Sequence, residues 1–225
     1  MQSEATTHDR ILDAAEALFA EQGFESTSIR AITAAAGANL AAVNYHFQSK
    51  ETLIHAVLAR RLDPVNDTRL SMLDAILAQS DGAPPDLDGI LHAFARPIFE
   101  AAFGLEANPA FARLAGRISS EPGDSLRKLA FEHIRPVAHR FFRAFALALP
   151  DLPPVDLIWR IHLSIGAMFH LLAASDFICE ISNGIFQTPD VETALLQWVT
   201  HTRAALLAPA AKSNLQQQSQ LKAAG

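Results

Sequence analysis

Apolar residues in the first 60 positions recur every three or four residues, the spacing of amphipathic helices. The first such face consists of Ile11, Ala15, Leu18 and Phe19. Gly23 is placed to end this helix in a left-handed conformation, and Ser26, Thr27 and Ser28 offer N-caps for a second. The pattern predicts three short helices within residues 9–47 and a fourth that begins after Ser49.

The second and third helices are separated by only three residues, Gly37-Ala38-Asn39, in which Gly37 ends one helix and Asn39 caps the next. A short helix, a tight glycine turn and another short helix are what a helix-turn-helix requires. The same pattern is also compatible with a small helical bundle that has no nucleic-acid partner. The pattern of residues alone leaves both interpretations open.

The remainder of the chain is also helical by its pattern, so the predicted fold class is all-α, with no internal repeat. Turn-forming segments divide it into predicted helices at 87–103, 111–118, 124–148, 154–175 and 189–207. Pro97 and Pro136 are expected to kink two of these helices, and Asp151 and Thr188 are placed to cap the last two. We predict an N-terminal domain at 1–60, a second helical domain at 61–208 and a disordered tail at 209–225.

The net charge of −6 speaks against a protein that binds nucleic acid through bulk positive charge. The stretch from Ser26 to Lys50 nevertheless contains no acidic residue, as a face that approaches phosphates should. The single Cys179 excludes a disulfide framework, and an inert thiol is favoured over a redox sensor. No uninterrupted apolar run approaches the roughly 18 residues of a membrane helix, and the start lacks a secretory signal, so we expect a cytoplasmic protein without a membrane partner.

The stretch ILDAAEALFAEQGFESTSIRAITAAAGANLAAVNYHFQSKETLIHAVLAR resembles the DNA-binding domain of TetR-type transcriptional regulators over about residues 9–60. The densest likeness is AGANLAAVNYHFQSKETL, with Tyr-His-Phe at 45–47 and Ser-Lys-Glu-x-Leu at 49–53. The resemblance implies a homodimer that binds a double-stranded DNA operator, with the helix at 40–45 in the major groove. It also implies repression that ends when a small effector binds the C-terminal domain.

The resemblance places the DNA contacts on the second and third helices and at the start of the fourth. The corresponding residues here are Thr27, Ser28, Asn39, Leu40, Ala41, Ala42, Asn44, Tyr45, His46 and Lys50. In the family, positions 27–28 cap the second helix and touch phosphate, 45–46 contact the DNA backbone or pack, and 50 is a phosphate-binding lysine. Asn44 departs from the family's usual aromatic residue, and Ala41-Ala42 from its Gly-Thr. An Asn side chain can bond the edge of an adenine, and an Ala side chain can contact the methyl group of a thymine. The operator sequences of better-known family members should therefore not be transferred to this chain.

Phenylalanine is concentrated in the second domain, where 11 of the 14 lie between Phe94 and Phe186. These residues predict a core, and between proline-containing helices they also favour an apolar cavity for a ligand. The candidate lining is Phe94, Phe103, Phe111, Phe141, Phe145, Trp159, His162 and Phe169. Arg113 and Arg117 share a helix face and are either receivers of a carboxylate or a solvated basic edge.

The segment LPPVDLIWRIHLSIGAM at 152–168, together with LAAVNYHF, is similar to the PsrA-type subgroup of TetR regulators, which is associated with long-chain fatty acids. The effector implied is a small hydrophobic molecule such as a long-chain fatty acid or acyl thioester. The last two helices are expected to form the dimer interface, as the corresponding pair does in the family. The expected contacts are Ile158, Ile161, Ile165 and Leu172, with the small Ser164, Gly166 and Ala167, on the first helix and Leu195, Trp198, Val199 and Leu206 on the second.

Motifs for catalysis, cofactors and metals are missing: there is no G-x-S-x-G, no P-loop and no G-x-G-x-x-G. His162 and His170 share a helix face but are separated by about 12 Å along it, too far apart to bind one metal ion. We therefore expect neither an enzyme nor a cofactor or metal site. The competing hypothesis is a helical lipid-binding carrier or enzyme that has no operator.

Overall fold

A computed structural model describes residues 6–105, 107–120 and 124–209, and every regular element in these ranges is an α-helix. The predicted all-α fold is therefore confirmed. Residues 210–225, most of the tail predicted to be disordered, lie outside the described residues. The described residues form nine helices: α1 Thr7–Gln22, α2 Ile29–Ala36, α3 Leu40–Phe47, α4 Lys50–Gln79, α5 Leu87–Phe103, α6 Pro109–Ser120, α7 Asp124–Ala148, α8 Pro154–Ile181 and α9 Val191–Leu207.

Helices α1–α3 pack with the first third of α4 around an aromatic core. Phe19 and Phe24 stack with their ring centroids 5.0 Å apart, and both are buried. Ser28, Asn39 and Ser49 each accept a hydrogen bond from the backbone N–H three residues later, which confirms them as N-caps. These caps hold the short helices that tertiary packing alone would leave frayed.

The two glycines predicted to end helices behave differently. Gly37 has φ 58° and ψ 37°, the left-handed conformation expected at a helix C-terminus. Gly23 follows α1 with φ 92° and ψ 163°, so the prediction of a left-handed cap there is wrong. Its φ is nevertheless positive, in the region that favours glycine, and its N–H donates a hydrogen bond to the Phe19 carbonyl oxygen.

Helix α4 is continuous for 30 residues and contains Pro64. The predicted domain boundary at residue 60 falls inside this helix, which continues across it without a linker. Its first part belongs to the N-terminal core through Leu53 and Val57, and its later part to the C-terminal core through Leu73. One rigid element therefore belongs to both hydrophobic cores.

The C-terminal helices follow the predicted spans closely, with α8 extending to Ile181 instead of 175. Helices α5 and α7 run on through Pro97 and Pro136. The predicted caps of the last two helices are wrong: Pro153, the N-cap residue of α8, makes no side-chain capping hydrogen bond, and Asp190 rather than Thr188 caps α9. Proline already fixes φ at the start of α8, which reduces the need for a capping side chain there.

Trp198 lies in the core rather than at a subunit surface. Its Nε1 donates a 2.9 Å hydrogen bond to the carbonyl oxygen of Ser164, and its ring stacks on Phe94 with centroids 5.8 Å apart. Other predicted interface residues are buried with it, namely Ile161, Leu172, Leu195, Val199 and Leu206. Most of the residues predicted to contact a second subunit are therefore buried in the core of one chain. The expectation that Trp198 lies in the dimer interface is corrected.

Candidate functional site

Helix α3 presents one buried and one exposed face. Val43 and Phe47 are buried in the N-terminal core and fix the rotation of the helix. The opposite face exposes Leu40, Ala41, Asn44 and Tyr45, while Ala42 is half-buried. This is the geometry of a helix that can enter the major groove with its N-terminal turn.

The polar side chains on and next to α3 differ in the intramolecular contacts that they make. The Asn39 Oδ1 atom accepts a 2.8 Å hydrogen bond from the Ala42 N–H, so Asn39 is committed to capping. Tyr45 is 83% exposed, and its ring lies 5.1 Å from that of His46. The ring centroids of His46 and His8 of α1 are 5.7 Å apart, so the end of α3 packs against the start of α1.

Thr27 and Ser28 have separate roles in the structure, although the family resemblance implies a phosphate contact for both of them. Ser28 is exposed and caps α2. Thr27 is only 1% exposed, and its hydroxyl donates to the carbonyl oxygen of Gly23 at 2.7 Å. The expected phosphate contact by the Thr27 side chain is therefore corrected, because this residue belongs to the core beneath α2.

Lys50 is the first residue of α4, and its Nζ donates a 3.1 Å hydrogen bond to the carbonyl oxygen of Glu25. This bond holds the ammonium group beside the N-terminus of α2 without neutralising its charge. Arg30 and His46 are exposed on the same acid-free stretch. The surface formed by α2, α3 and Lys50 is thus suited to a polyanion.

The C-terminal domain encloses a cavity of about 130 Å³ between α4, α5, α6, α7 and α8. Five of the aromatic residues proposed from the sequence line it: Phe94, Phe111, Phe141, Phe145 and Phe169. The rest of the wall is almost entirely aliphatic, with Ile161, Ile165 and Met168 on α8. Such a cavity has the form expected of a hydrophobic ligand site.

The other proposed ligand residues lie elsewhere. Phe103 stacks on Phe99 outside the cavity, and Arg113 is exposed. Trp159 is 61% exposed, and His162 is exposed beside it. The Arg117 Nη2 atom donates a 2.6 Å hydrogen bond to the carbonyl oxygen of Glu21 at the end of α1. None of these five side chains lines this cavity, so their role as ligand contacts stays a prediction that the cavity does not support.

Arg69 and Asn66 are the polar lining residues of the cavity, and the sequence analysis missed both. The Cζ atom of Arg69 lies 4.2 Å from the ring centroid of Phe94 and 5.1 Å from that of Phe141. Its Nη1 donates a 3.1 Å hydrogen bond to Asn66 Oδ1. Burial in this apolar wall lowers the pKa of Arg69 to about 9, so it remains a cation at neutral pH. Nothing in the local sequence distinguishes Arg69 from a solvated arginine on an amphipathic helix.

Helix α6 connects the cavity with the N-terminal domain. Phe111 and Ala115 line the cavity, whereas Leu114, on the other side of the same helix, is buried in the N-terminal core. Arg117 bonds the last carbonyls of α1, as a cation at a helix C-terminus should. A displacement of α6 would therefore move both the cavity wall and α1.

A second connection is built around Glu16 of α1, which is only 3% exposed. Its Oε1 accepts hydrogen bonds from Arg61 Nε at 2.7 Å and from Asn108 Nδ2 at 3.0 Å. The other carboxylate oxygen, Oε2, accepts a hydrogen bond from Arg60. One buried carboxylate thus joins α1, α4 and the residue that precedes α6.

The outer face of α8 is unusually apolar. Its exposed large residues are Val155, Ile158, Trp159, Leu163, Phe177 and Ile181. The segment Pro154–Ala173 is long and apolar enough to cross a membrane by length and composition alone, and only 28% of it is buried. Helix α9 adds the exposed Leu196 and Leu207. Among the described residues, no group of three or more His, Cys, Asp or Glu side chains is placed to hold a metal ion.

Comparison with known proteins covers both domains. Residues 11–57 match the model for bacterial regulatory proteins of the tetR family, and residues 92–205 match the tetracyclin repressor-like C-terminal domain. The HTH-type transcriptional regulator UidR of Escherichia coli (strain K12) is 44% identical over 59 residues, which are 26% of this chain and 30% of UidR. The chain thus spans less than a third of the length of that curated relative.

Solved structures match over nearly the whole fold. The fatty acid degradation regulator FadR from Bacillus halodurans has a TM-score of 0.60 at 14% identity, over 94% of this chain and 100% of that one. FadR from Bacillus subtilis, in complex with stearoyl-CoA, has a TM-score of 0.59 at 11% identity, over 88% of this chain and 97% of that one. At these identities the likeness shows a common fold. Together with the family matches at both ends, it shows that the chain belongs to the TetR family of DNA-binding transcriptional regulators.

Proposed function

We propose that this regulator is a homodimeric repressor that leaves its operator when a small hydrophobic effector occupies the cavity between α4 and α8. The observation that carries the proposal is the position of α6, whose Phe111 lines the cavity while Arg117 holds the end of α1. The cavity wall is therefore joined through α6 to α1, which packs against α2 and α3. An effector shifts the equilibrium between two arrangements only by its difference in affinity for them.

In the DNA-bound arrangement, each subunit would insert the exposed face of α3 into a major groove. Leu40, Ala41, Ala42 and Asn44 would face base edges, with Tyr45, Ser28 and Lys50 toward the DNA backbone. One eight-residue helix reads few base pairs, so two half-sites about 34–36 Å apart are needed for useful affinity.

The second copy would dock on the outer faces of α8 and α9. The exposed Trp159 and Leu163 form an apolar stripe there, and Gly166 leaves open space for close approach of a partner helix. An apolar stripe of this length on a helix is typical of a protein interface. This arrangement retains the predicted pair of helices but uses their outward residues.

The effector class we favour is a hydrophobic acid or its thioester, extending to long-chain fatty acids. The apolar wall of the cavity, and the likeness of the fold to two regulators named FadR, one solved with stearoyl-CoA, support this choice. The volume of about 130 Å³ is close to the roughly 150 Å³ that holds one benzene ring in a protein core. A C16–C18 chain would therefore require the helices to separate, and that separation would be the signal transmitted through α6.

The test is binding of the full chain to DNA that flanks its own gene, followed by release with a C8–C18 acid series. A regulator of this kind shows sequence-dependent binding with a steep salt dependence, and its release improves with acid length as more methylenes are buried. A helical lipid carrier would bind the acids without sequence-specific DNA binding. DNA binding that no acid or thioester in the series alters would rule out the effector class while leaving the operator function intact.

A further inference from the structure

The cavity contains a buried cation without an anionic partner. Arg69 is only 7% exposed, and no described carboxylate forms an ion pair with it. Arg60, by contrast, forms ion pairs with both Asp13 and Glu16. A buried charge without a counter-ion lowers the stability of the fold, so packing alone does not account for an arginine at this position.

Neutral groups satisfy Arg69 only in part. The rings of Phe94 and Phe141 present their faces to the guanidinium, and Asn66 accepts one hydrogen bond from it. The Nε donor is buried and has no hydrogen-bond partner. The side chain thus keeps a positive charge and an unused donor in the wall of an otherwise apolar cavity.

We propose that the cavity binds the free carboxylate of a compact hydrophobic acid, with Arg69 as its counter-ion. This inference rests on the proposed function and narrows the effector to the ionised acid instead of a thioester. The acid's apolar body would lie against Phe111, Phe145 and the aliphatic residues of α8. Arginine is well suited to this role because its donors match the two oxygens of a carboxylate.

Charge arithmetic favours a carboxylate over the other common anions. One cation in an apolar wall balances one negative charge, whereas a phosphate monoester or a coenzyme A group would bury further charges without partners. The cavity's other polar lining residue, Asn66, is neutral, and its amide already donates to the carbonyl oxygen of His133 at 3.1 Å. The volume of about 130 Å³ limits the body to a ring or a short chain unless the helices separate.

Octanoate and 4-phenylbutyrate are the probes, each compared with its primary amide, which has nearly the same shape but no charge. Calorimetry on the full chain should show each acid binding at least tenfold more tightly than its amide. In Arg69→Met, which keeps the length and apolar contacts of the side chain, the preference for the acid should fall below threefold. In Arg69→Lys, which keeps the charge but not the fork of donors, part of the preference should remain.

Arg143→Met is the matched control, because Arg143 is exposed on the same cavity-lining helix α7 and does not line the cavity. It should leave all affinities unchanged, and the circular dichroism spectrum should establish that Arg69→Met is folded. Equal binding of acid and amide to the unaltered chain, an acid preference that survives in Arg69→Met, or no binding of either acid would each overturn the proposal.

Operator release is measured separately in the same samples, so that the two proposals fail independently. Acids that bind through Arg69 without releasing DNA would contradict the proposed function and support the carboxylate site. Release by octanoyl-CoA while octanoate does not bind would support the proposed function and overturn the carboxylate site.

Discussion

Asn108 donates a 3.0 Å hydrogen bond from its Nδ2 atom to the buried Oε1 atom of Glu16, across the junction of the two domains. The Oδ1 atom of the same Asn108 accepts a hydrogen bond from the Ala110 N–H and so caps the first turn of α6. One amide side chain therefore fixes the start of α6 and its distance from α1.

Glu16→Gln should lower the free energy of unfolding by about 2 kcal/mol, because two arginines lose a buried anionic acceptor. Thermal denaturation followed by circular dichroism measures the loss. Asp13→Asn is the matched control: Asp13 also bonds Arg60, but its side chain is 65% exposed, so the change should be within about 1 kcal/mol. Equal losses in the two variants would refute the distinction between the buried and the exposed carboxylate.

Lys50→Ala should weaken binding to every DNA sequence by a similar factor and lower the salt slope by about one unit. Its ammonium group lies at the start of α4 beside α2, in position for a phosphate. Anisotropy titrations at several salt concentrations measure both quantities, with the exposed Lys128 on α7 replaced by Ala as the control. A changed base preference at constant slope would mean that Lys50 contacts bases.

Asn44→Ala should relax selectivity at one base position and cost about 1–3 kcal/mol on the best operator, because an exposed Asn on α3 is placed to bond an adenine edge. Binding-site selection from random DNA, run in parallel on both proteins, is the measurement. Recovery of the same motif from both would assign Asn44 to a phosphate instead.

Leu163→Glu should convert the dimer to a monomer, since Leu163 is 64% exposed on the apolar face of α8 and a charge there would be desolvated in the interface. Light scattering at micromolar concentration determines the mass. Leu105→Glu introduces the same charge at an exposed residue outside α8 and α9 and should leave the mass unchanged. A persistent dimer of Leu163→Glu would place the interface elsewhere.

Arg69→Met should stabilise the ligand-free protein by about 1–2 kcal/mol at pH 7, because it removes an unpaired buried charge while filling the same space. Burial lowers the pKa of Arg69 to about 9 in the folded chain, below the ordinary arginine value that it has in the unfolded chain. Below pH 9 the full penalty is present, and above it stability rises with pH up to the ordinary arginine pKa, because the folded state releases the proton first. A lower midpoint for Arg69→Met in urea would contradict this.

The helices and the exposed face of α3 were predictable because local signals agree with the fold. Ser28, Asn39 and Ser49 cap helices where the sequence places caps, and the spacing of Val43 and Phe47 fixes which side of α3 is exposed. Local propensity and burial point the same way at these positions, so a single sequence suffices.

Partners that are distant in sequence were not predictable. Trp198 lies inward because Phe94 and the Ser164 carbonyl meet it, and its helix has apolar residues on both faces. Thr27 is a different case: its partners Gly23 and Leu18 are near in the sequence, but its neighbours Ser26 and Ser28 make it look like a capping residue. Arg69 resembles a solvated arginine until Phe94 and Phe141, 25 and 72 positions further along, enclose it.

In the proposed function, the continuous helix α4 would act as a lever between the cavity and the operator-binding surface. Lys50, at one end, and Arg69, in the cavity wall, are 19 residues apart in the chain and about 28 Å apart along the helix axis. A tilt of about 5° around the cavity end would carry Lys50 through roughly 2.5 Å, nearly the length of a hydrogen bond. In the proposed dimer, two Lys50 residues that moved in opposite directions would change their separation by up to about twice that distance, which would disturb the match with successive major grooves.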